Sequence, residues 1–234
     1  IEALAKNGVT DITTVLGYKK ERIMSHFEDG NRWKVDIDYI DQRKRVAQAG
    51  TAYALSMAKS AVKGDFLVLP GDNIISPSLI GDLLAKKGRY RMVVTESETP
   101  SKYGVVELSG DTVKNIVEKP EMHISNLIST GIYMFSDDIF GEIDKVMKSG
   151  KYGLTSVLQN IIPTTKVTAV RTTKVWSDVV YPWDILGMNA LALRKCASKT
   201  SGKMDRGVTM KGPVSIGKGT IIRSGTHIMG PVVI

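Results

Sequence analysis

Residues 66–95, FLVLPGDNIISPSLIGDLLAKKGRYRMVVT, run from an apolar stretch through a turn and a helical stretch into a second apolar stretch. Residues 66–69 and 92–95 read as strands. Residues 77–86 read as a helix, opened by Ser76 as cap and by Pro77 in its first turn. Strand, helix and strand in that order make a βαβ unit. Working outward, 11–17 and 35–40 read as strands, and 19–27 and 51–61 as helices. The segments GVVEL and TVKNIVE, joined by Ser109-Gly110-Asp111, have hairpin chemistry. A strand at 127–135, helices at 137–148 and 154–162, strands at 167–171 and 175–179 and a closing helix at 182–195 complete the series. The pattern predicts an α/β domain with a doubly wound, mostly parallel sheet and an inserted antiparallel section.

The last residues change period. Met210, Ile216, Ile222, Ile228 and Ile234 recur every six positions, with Gly217, Gly219, Gly225 and Gly230 between them. One inward aliphatic residue per six is the pattern of a parallel β-helix, in which three hexads make a coil. The expected division is therefore 1–198 for the α/β domain and 207–234 for the first hexads, a hairpin or loose tail being the plainer alternative. At the other end, IEALAKNG reads as the second half of an amphipathic helix, so the expectation is a chain cut at both ends.

Composition narrows the function classes. The 234 residues carry 32 Lys and Arg against 24 Asp and Glu, a net charge of +8 that suggests an anionic partner. Nucleic acid is disfavoured, because the basic residues are scattered and only 6% of residues are aromatic, which leaves few stacking platforms. A phosphorylated small molecule fits better. With Cys196 as the single cysteine, neither an intrachain disulfide nor a cysteine zinc site is available. No run approaches the roughly 20 apolar residues of a membrane span. A cytoplasmic protein with no membrane role is expected.

Ligands of open α/β sheets sit beyond the carboxyl ends of the strands. There, Leu69-Pro70-Gly71-Asp72-Asn73 places a carboxylate that could hold a hard cation over a phosphate, or could merely end the strand in an Asx turn. Glu118-Lys119-Pro120 ends another strand with an acceptor for sugar hydroxyls and a cation for a phosphate. A surface ion pair explains that pair equally.

Six segments taken in order are more specific. Gly50-Thr51-Ala52, Leu69 to Asn73, Tyr103-Gly104-Val105-Val106, Val117-Glu118-Lys119-Pro120, Ser129-Thr130-Gly131-Ile132-Tyr133, and Trp176-Ser177-Asp178-Val179 with Tyr181-Pro182-Trp183-Asp184 resemble, as a series, the sugar-1-phosphate nucleotidylyltransferases. The similarity runs from Ile1 to about Lys195, and the hexads resemble the left-handed β-helix of the two-domain members. The resemblance implies nucleotidyl transfer from an NTP to a sugar 1-phosphate, giving NDP-sugar and pyrophosphate, with Mg2+ as cofactor. It gives Asp72 and Asp178 the two metal carboxylates, with Asp184 in reserve, and it makes Asp72, Lys119 and Asp178 the catalytic set. Glu118 would bind sugar hydroxyls and Lys119 the sugar phosphate. Gly104, Ser129, Thr130 and Gly131 would shape the sugar pocket, Ser129 standing where many relatives have Asn. Gly50 and Thr51 would approach the nucleobase, and Gln42 would read a pyrimidine edge in preference to Gln48, which favours UTP or dTTP. The family's glycine-rich signature loop is absent ahead of Ile1, so the 234 residues alone are expected to be nearly inactive.

The remaining conspicuous residues have plainer readings. His227 is expected to be a solvated turn residue, and His26 and His123 lack the spacing of a zinc site. Trp176 and Trp183 are expected to pack between the last strand and the closing helix. Rival classes are a non-catalytic regulatory subunit of the same architecture and a nucleotide-binding domain with a trimerising tail. A homo-oligomer, a trimer through the β-helix of the parent, is expected.

Overall fold

The computed structural model describes residues 1–42, 50–194 and 196–234. The chain forms two compact units, Ile1–Ser177 and Asp178–Ile234. The boundary expected at 198 therefore lies inside the second unit. The closing helix, which has no buried residue, is grouped with the strands that follow it.

The first unit contains α1 (Glu2–Ala5), β1 (Asp11–Leu16), α2 (Lys20–Phe27), β2 (Asp36–Asp41), α3 (Thr51–Met57), β3 (Asp65–Val68), β4 (Asn73–Ile75), α4 (Pro77–Ala85) and β5 (Tyr90–Glu96). It continues with β6 (Gly104–Ser109), β7 (Thr112–Glu118), β8 (Leu127–Ser136), α5 (Ile139–Lys148), α6 (Leu154–Ile161) and β9 (Val167–Arg171), and β10 (Trp176–Asp178) spans the division between the units. Strands β1 and β2 pair in parallel, Asp11 opposite Asp36 through Leu16 opposite Asp41. The main sheet has the order β3-β8-β5-β9-β7-β6.

That sheet is mixed, which corrects the expectation of a mostly parallel one. β8 runs antiparallel to both β3 and β5, and β6 and β7 are antiparallel to each other. Within the six strands only β5 and β9 form a parallel pair among the described residues. The reason is local. The Gly110-Asp111 turn sends β7 back along β6, and the ten-residue β8 then enters between two strands that the α4 crossover has already made parallel to each other.

Helices cover both faces. Alternate side chains of a strand point to opposite faces, and β5 shows it: Met92 and Val94 lie in the cluster with α3, α5 and α6, whereas Val93 lies in the cluster with α1 and α4. The helical period supplies the other half of each layer, with Leu79, Ile80 and Leu83 of α4 and Ile139, Phe140, Ile143 and Val146 of α5 all buried.

The second unit holds α7 (Asp184–Leu193) and seven short strands: β11 (Lys199–Thr200), β12 (Lys203–Met204), β13 (Thr209–Lys211), β14 (Val214–Ile216), β15 (Ile221–Ile222), β16 (His227–Met229) and β17 (Val232–Val233). They pair in parallel as β11-β14-β17, β12-β15 and β13-β16. Lys203 faces Ile221, Thr209 faces His227 and Val214 faces Val232, each pair eighteen residues apart. Val214, Ile216 and Ile222 are buried between these strands, with Val208, Ile228 and Val232 against them.

Candidate active site

The candidate site lies on the first unit, where β3, β8, β6 and β7 bring their end residues together. Its floor is a bulge in β8. Tyr133 pairs with Met92 and Ser129 with Val94, so three residues of β8 oppose one of β5. Gly131 occupies the bulge at φ 76°, and a Cβ there would lie 2.8 Å from Pro70 Cγ. Only a glycine fits this conformation against the Leu69-Pro70-Gly71-Asp72 turn. Thr130 Oγ1 donates to Val93 O at 3.0 Å, and Asn73 Nδ2 donates to Thr130 O at 3.2 Å. Asn73 thus ties the residue next to Asp72 to the sugar-pocket segment.

Ser129 turns inward. Its Oγ lies 2.9 Å from the Tyr133 hydroxyl and accepts the Gly131 N–H at 3.3 Å. Burial pushes the Tyr133 phenol up to about 12. The Ser129 hydrogen bond opposes that shift, and the nearby negative charge of Glu118 adds to it. Ser129 and Thr130 are both buried, so they shape the bulge from within.

Glu118 closes the other side. It pairs with Gly104 across the β6–β7 ladder, and a Cβ on Gly104 would stand 3.4 Å from Glu118 Oε2. The same Oε2 accepts from Thr155 Oγ1 of α6 at 2.6 Å. Lys119 follows with φ 42°, a left-handed conformation unusual for a side-chain-bearing residue, and its N–H donates to Tyr103 O at 2.9 Å. Such strain persists only where the surroundings over-determine it, and it concentrates at functional sites. Glu118 and Lys119 are both exposed, as ligand-facing groups must be.

Gly50 and Thr51 are placed by α6 as well. A Cβ on Gly50 would fall 2.2 Å from Tyr152 O, which accepts the Ala52 N–H at 2.8 Å. Thr51 Oγ1 accepts the Leu154 N–H at 2.9 Å. The close approach of Gly50 is therefore to Tyr152, while Thr51 remains exposed. Gln42 follows the end of β2, its N–H donating to Leu16 O at 2.6 Å and its amide oxygen 3.7 Å from where a Gly17 Cβ would be. Gln48 lies outside the described residues.

Asp72 is exposed on the first unit. Asp178 and Asp184 belong to the second. Asp184 Oδ2 accepts the Val180 and Tyr181 N–H groups at 3.0 and 2.7 Å, so it is engaged in starting α7. Among the described residues no group of three or more His, Cys, Asp or Glu could hold a metal. Mg2+ needs no such cage, since it takes one or two carboxylates and completes its shell with phosphate oxygens and water. An exposed Asp72 fits that donor chemistry.

The family profile described as nucleotidyl transferase matches residues 1–194. This chain belongs to the nucleotidyl transferase family. The bifunctional protein GlmU of Methanococcus maripaludis strain S2 is 37% identical over 225 residues, covering 93% of this chain and 52% of that protein. A bifunctional sugar-1-phosphate nucleotidylyltransferase/acetyltransferase of Sulfurisphaera tokodaii is 31% identical, covering 97% of this chain and 55% of its own length. The chain thus spans about half the length of these relatives. A Bacillus anthracis structure with sucrose, assigned as a glucose-1-phosphate thymidylyltransferase, has the same fold, with a TM-score of 0.74 at 23% identity over 85% of this chain and 82% of that one.

Of the residues expected in this nucleotidyl transferase, Gly104, Glu118, Lys119 and the Ser129–Gly131 segment gather on one part of the first unit, with Pro70 and Asn73 joining the Asp72 turn to them. Sequence reasoning missed Asn73 and Thr155. Each is a polar residue one or two positions inside an element, and nothing in its spacing signals a partner 57 or 37 residues away. No described helix is long and apolar enough to cross a membrane.

Proposed function

We propose that the protein containing this chain transfers a nucleotidyl group from an NTP to a sugar 1-phosphate, with UTP or dTTP preferred. The observation that carries the reading is the exposed Glu118-Lys119 pair at the end of β7, its carboxylate set over Gly104 and its lysine held at positive φ. A phosphate oxygen of the sugar phosphate attacks the α-phosphorus of the NTP. The new P–O bond forms as the bond to the β-phosphate oxygen breaks, and pyrophosphate leaves. A phosphate monoester, with its second pKa near 6, is mostly dianionic at neutral pH and needs no base to attack. The protein's part is alignment and charge neutralisation. Glu118 accepts from sugar hydroxyls, Lys119 neutralises the sugar phosphate, and the Ser129–Gly131 bulge sets the pocket floor. Gln42, Gly50 and Thr51 are proposed for the nucleotide. Asp72 would hold Mg2+, which supplies charge neutralisation between the two phosphates when bound. Asp178 is proposed as a second carboxylate on the strength of its sequence pattern alone.

The eighteen-residue offset of the β12–β15, β13–β16 and β14–β17 pairs supports reading 207–234 as the first hexads of a left-handed β-helix of hexapeptide repeats, while β11 pairs with β14 at an offset of sixteen. Such coils favour a homo-oligomer, proposed as a trimer. The protein expressed from its complete coding sequence should release pyrophosphate with one sugar 1-phosphate from a panel and with UTP or dTTP, and Asp72→Asn should abolish this. A folded protein that turns over no pair in Mg2+ defeats the proposal.

A further inference from the structure

We infer that Thr155 is a positioning residue for the sugar side of the site, acting through Glu118; the inference rests on the nucleotidyl-transfer reading above. Glu118 sits exposed at the end of a strand, where a long side chain has several rotamers to lose on binding a ligand. The 2.6 Å bond from Thr155 Oγ1 to Oε2 fixes one of them in advance. A hydroxyl donating to a carboxylate is among the stronger hydrogen bonds. With Oε2 held by Thr155 above Gly104, Oε1 makes no hydrogen bond among the described residues and is left for a ligand hydroxyl.

The donor is itself rigidly mounted. One turn further along α6, Gln159 Nε2 donates to Ile116 O at 2.8 Å. Thr155 and Gln159 are four apart on a helix, a rise of about 6 Å. Glu118 and Ile116 are two apart on a strand, a rise of about 6.6 Å. The two spacings match, so α6 docks on β7 at two points of one face. Just ahead of Thr155, Tyr152 O accepts from Ala52 N–H and Leu154 N–H donates to Thr51 Oγ1. One short segment, 152–155, therefore ties the Gly50-Thr51-Ala52 turn to the Glu118 carboxylate. Its two ends touch the residues proposed for the nucleotide and for the sugar.

Docking alone would give Thr155 and Gln159 the same role, and the test separates them. In the protein expressed from its complete coding sequence, with the NTP and sugar 1-phosphate that the wild type turns over best, Thr155→Val should raise KM for the sugar 1-phosphate about tenfold. Its kcat and its KM for the NTP should stay within about twofold. Thr155→Ser, which keeps the hydroxyl, should restore the wild-type KM. Gln159→Met should lower Tm and leave both KM values unchanged. Should Thr155→Val fold poorly, Thr155→Ala carries the same expectation. An unchanged KM for the sugar phosphate in the variant lacking the hydroxyl overturns the positioning role and leaves nucleotidyl transfer standing. A parallel rise of both KM values in the Thr155 and Gln159 variants also overturns it, by making the contact purely structural. A wild type that turns over no pair defeats the nucleotidyl-transfer reading first, and the inference with it.

Discussion

Gly131 and Tyr133 carry the sharpest single-residue consequences. Gly131→Ala meets two penalties, a positive φ and a Cβ 2.8 Å from Pro70 Cγ, whereas Gly110→Ala meets only the first, because nothing lies within 4 Å of its Cβ. Gly110→Ala should cost about 1 kcal/mol. Gly131→Ala should cost about 2–3 kcal/mol and raise KM for the sugar phosphate. Equal losses in urea titrations would mean that the Pro70 turn gives way freely. Tyr133 adds a pH dependence. Its phenol ionises near 10 when unfolded and near 12 when folded. Between those values the unfolded chain has released a proton that the folded chain retains, so this contribution is present below pH 10 and is lost as pH rises to 12. Two pKa units correspond to a loss on the order of 2–3 kcal/mol. Tyr133→Phe should therefore be less stable at pH 8, by about 1 kcal/mol for the lost Ser129 bond, and should show a flatter decline between pH 10 and 12 in calorimetric scans. A parallel decline in both proteins would refute the assignment. The sequence singled out Ser129-Thr130-Gly131 for the sugar pocket; it could not show that Ser129 faces inward, because that depends on the buried Tyr133 hydroxyl four residues later.

Elements were legible where local chemistry decides them. Pro77 starts α4 and Gly110-Asp111 turns the β6–β7 hairpin, both as read from the sequence, although Ser76 holds the N-cap position without a side-chain capping hydrogen bond. Strand direction was not legible, because the apolar run of β8 has the same alternation whether its neighbours run with it or against it. The end of α4 was read to within one residue, at Lys86 against the observed Ala85, but what satisfies its last carbonyls was hidden. Arg91 is buried in β5, and its Nη1 donates to the carbonyls of Leu83 and Leu84 at 3.2 Å and of Lys86 at 2.5 Å. A side chain of the next strand thus satisfies carbonyls that the last turn of the helix leaves open. Its charge is answered by Asp65 at 3.8 Å. Arg91→Leu strips one buried and two part-buried carbonyls of their donor, which should destabilise the first unit by about 2–3 kcal/mol. Hydrogen exchange should locate the loss at the amides of α4 and β5. Uniform exchange across the unit, with α4 no worse than α5, would show that the guanidinium is not what ends the helix.

At the scale of the molecule, two carboxylates compete for the second metal role proposed from the sequence pattern. Trp176-Ser177-Asp178 and Tyr181-Pro182-Trp183-Asp184 offer two, and sequence spacing alone leaves both available. Their local chemistry separates them. Asp184 accepts two backbone N–H groups of its own turn, and those bonds account for its presence at the start of α7, where a negative charge is favoured. Asp178 ends a strand, the position from which α/β sheets present groups to ligands. Asp184→Asn keeps one oxygen that can accept both N–H groups but loses the negative charge at the helix start, and should lower stability by about 1 kcal/mol or less, with turnover within a few-fold of wild type. Asp178→Asn removes a charge from the proposed phosphate-handling set and should lower kcat by about a hundredfold or more. Measuring kcat over a range of Mg2+ concentrations sharpens the distinction. A weakened carboxylate ligand shifts the Mg2+ midpoint upward, whereas a loosened helix start leaves that midpoint in place. If Asp184→Asn moves the midpoint and Asp178→Asn does not, the two proposed roles exchange.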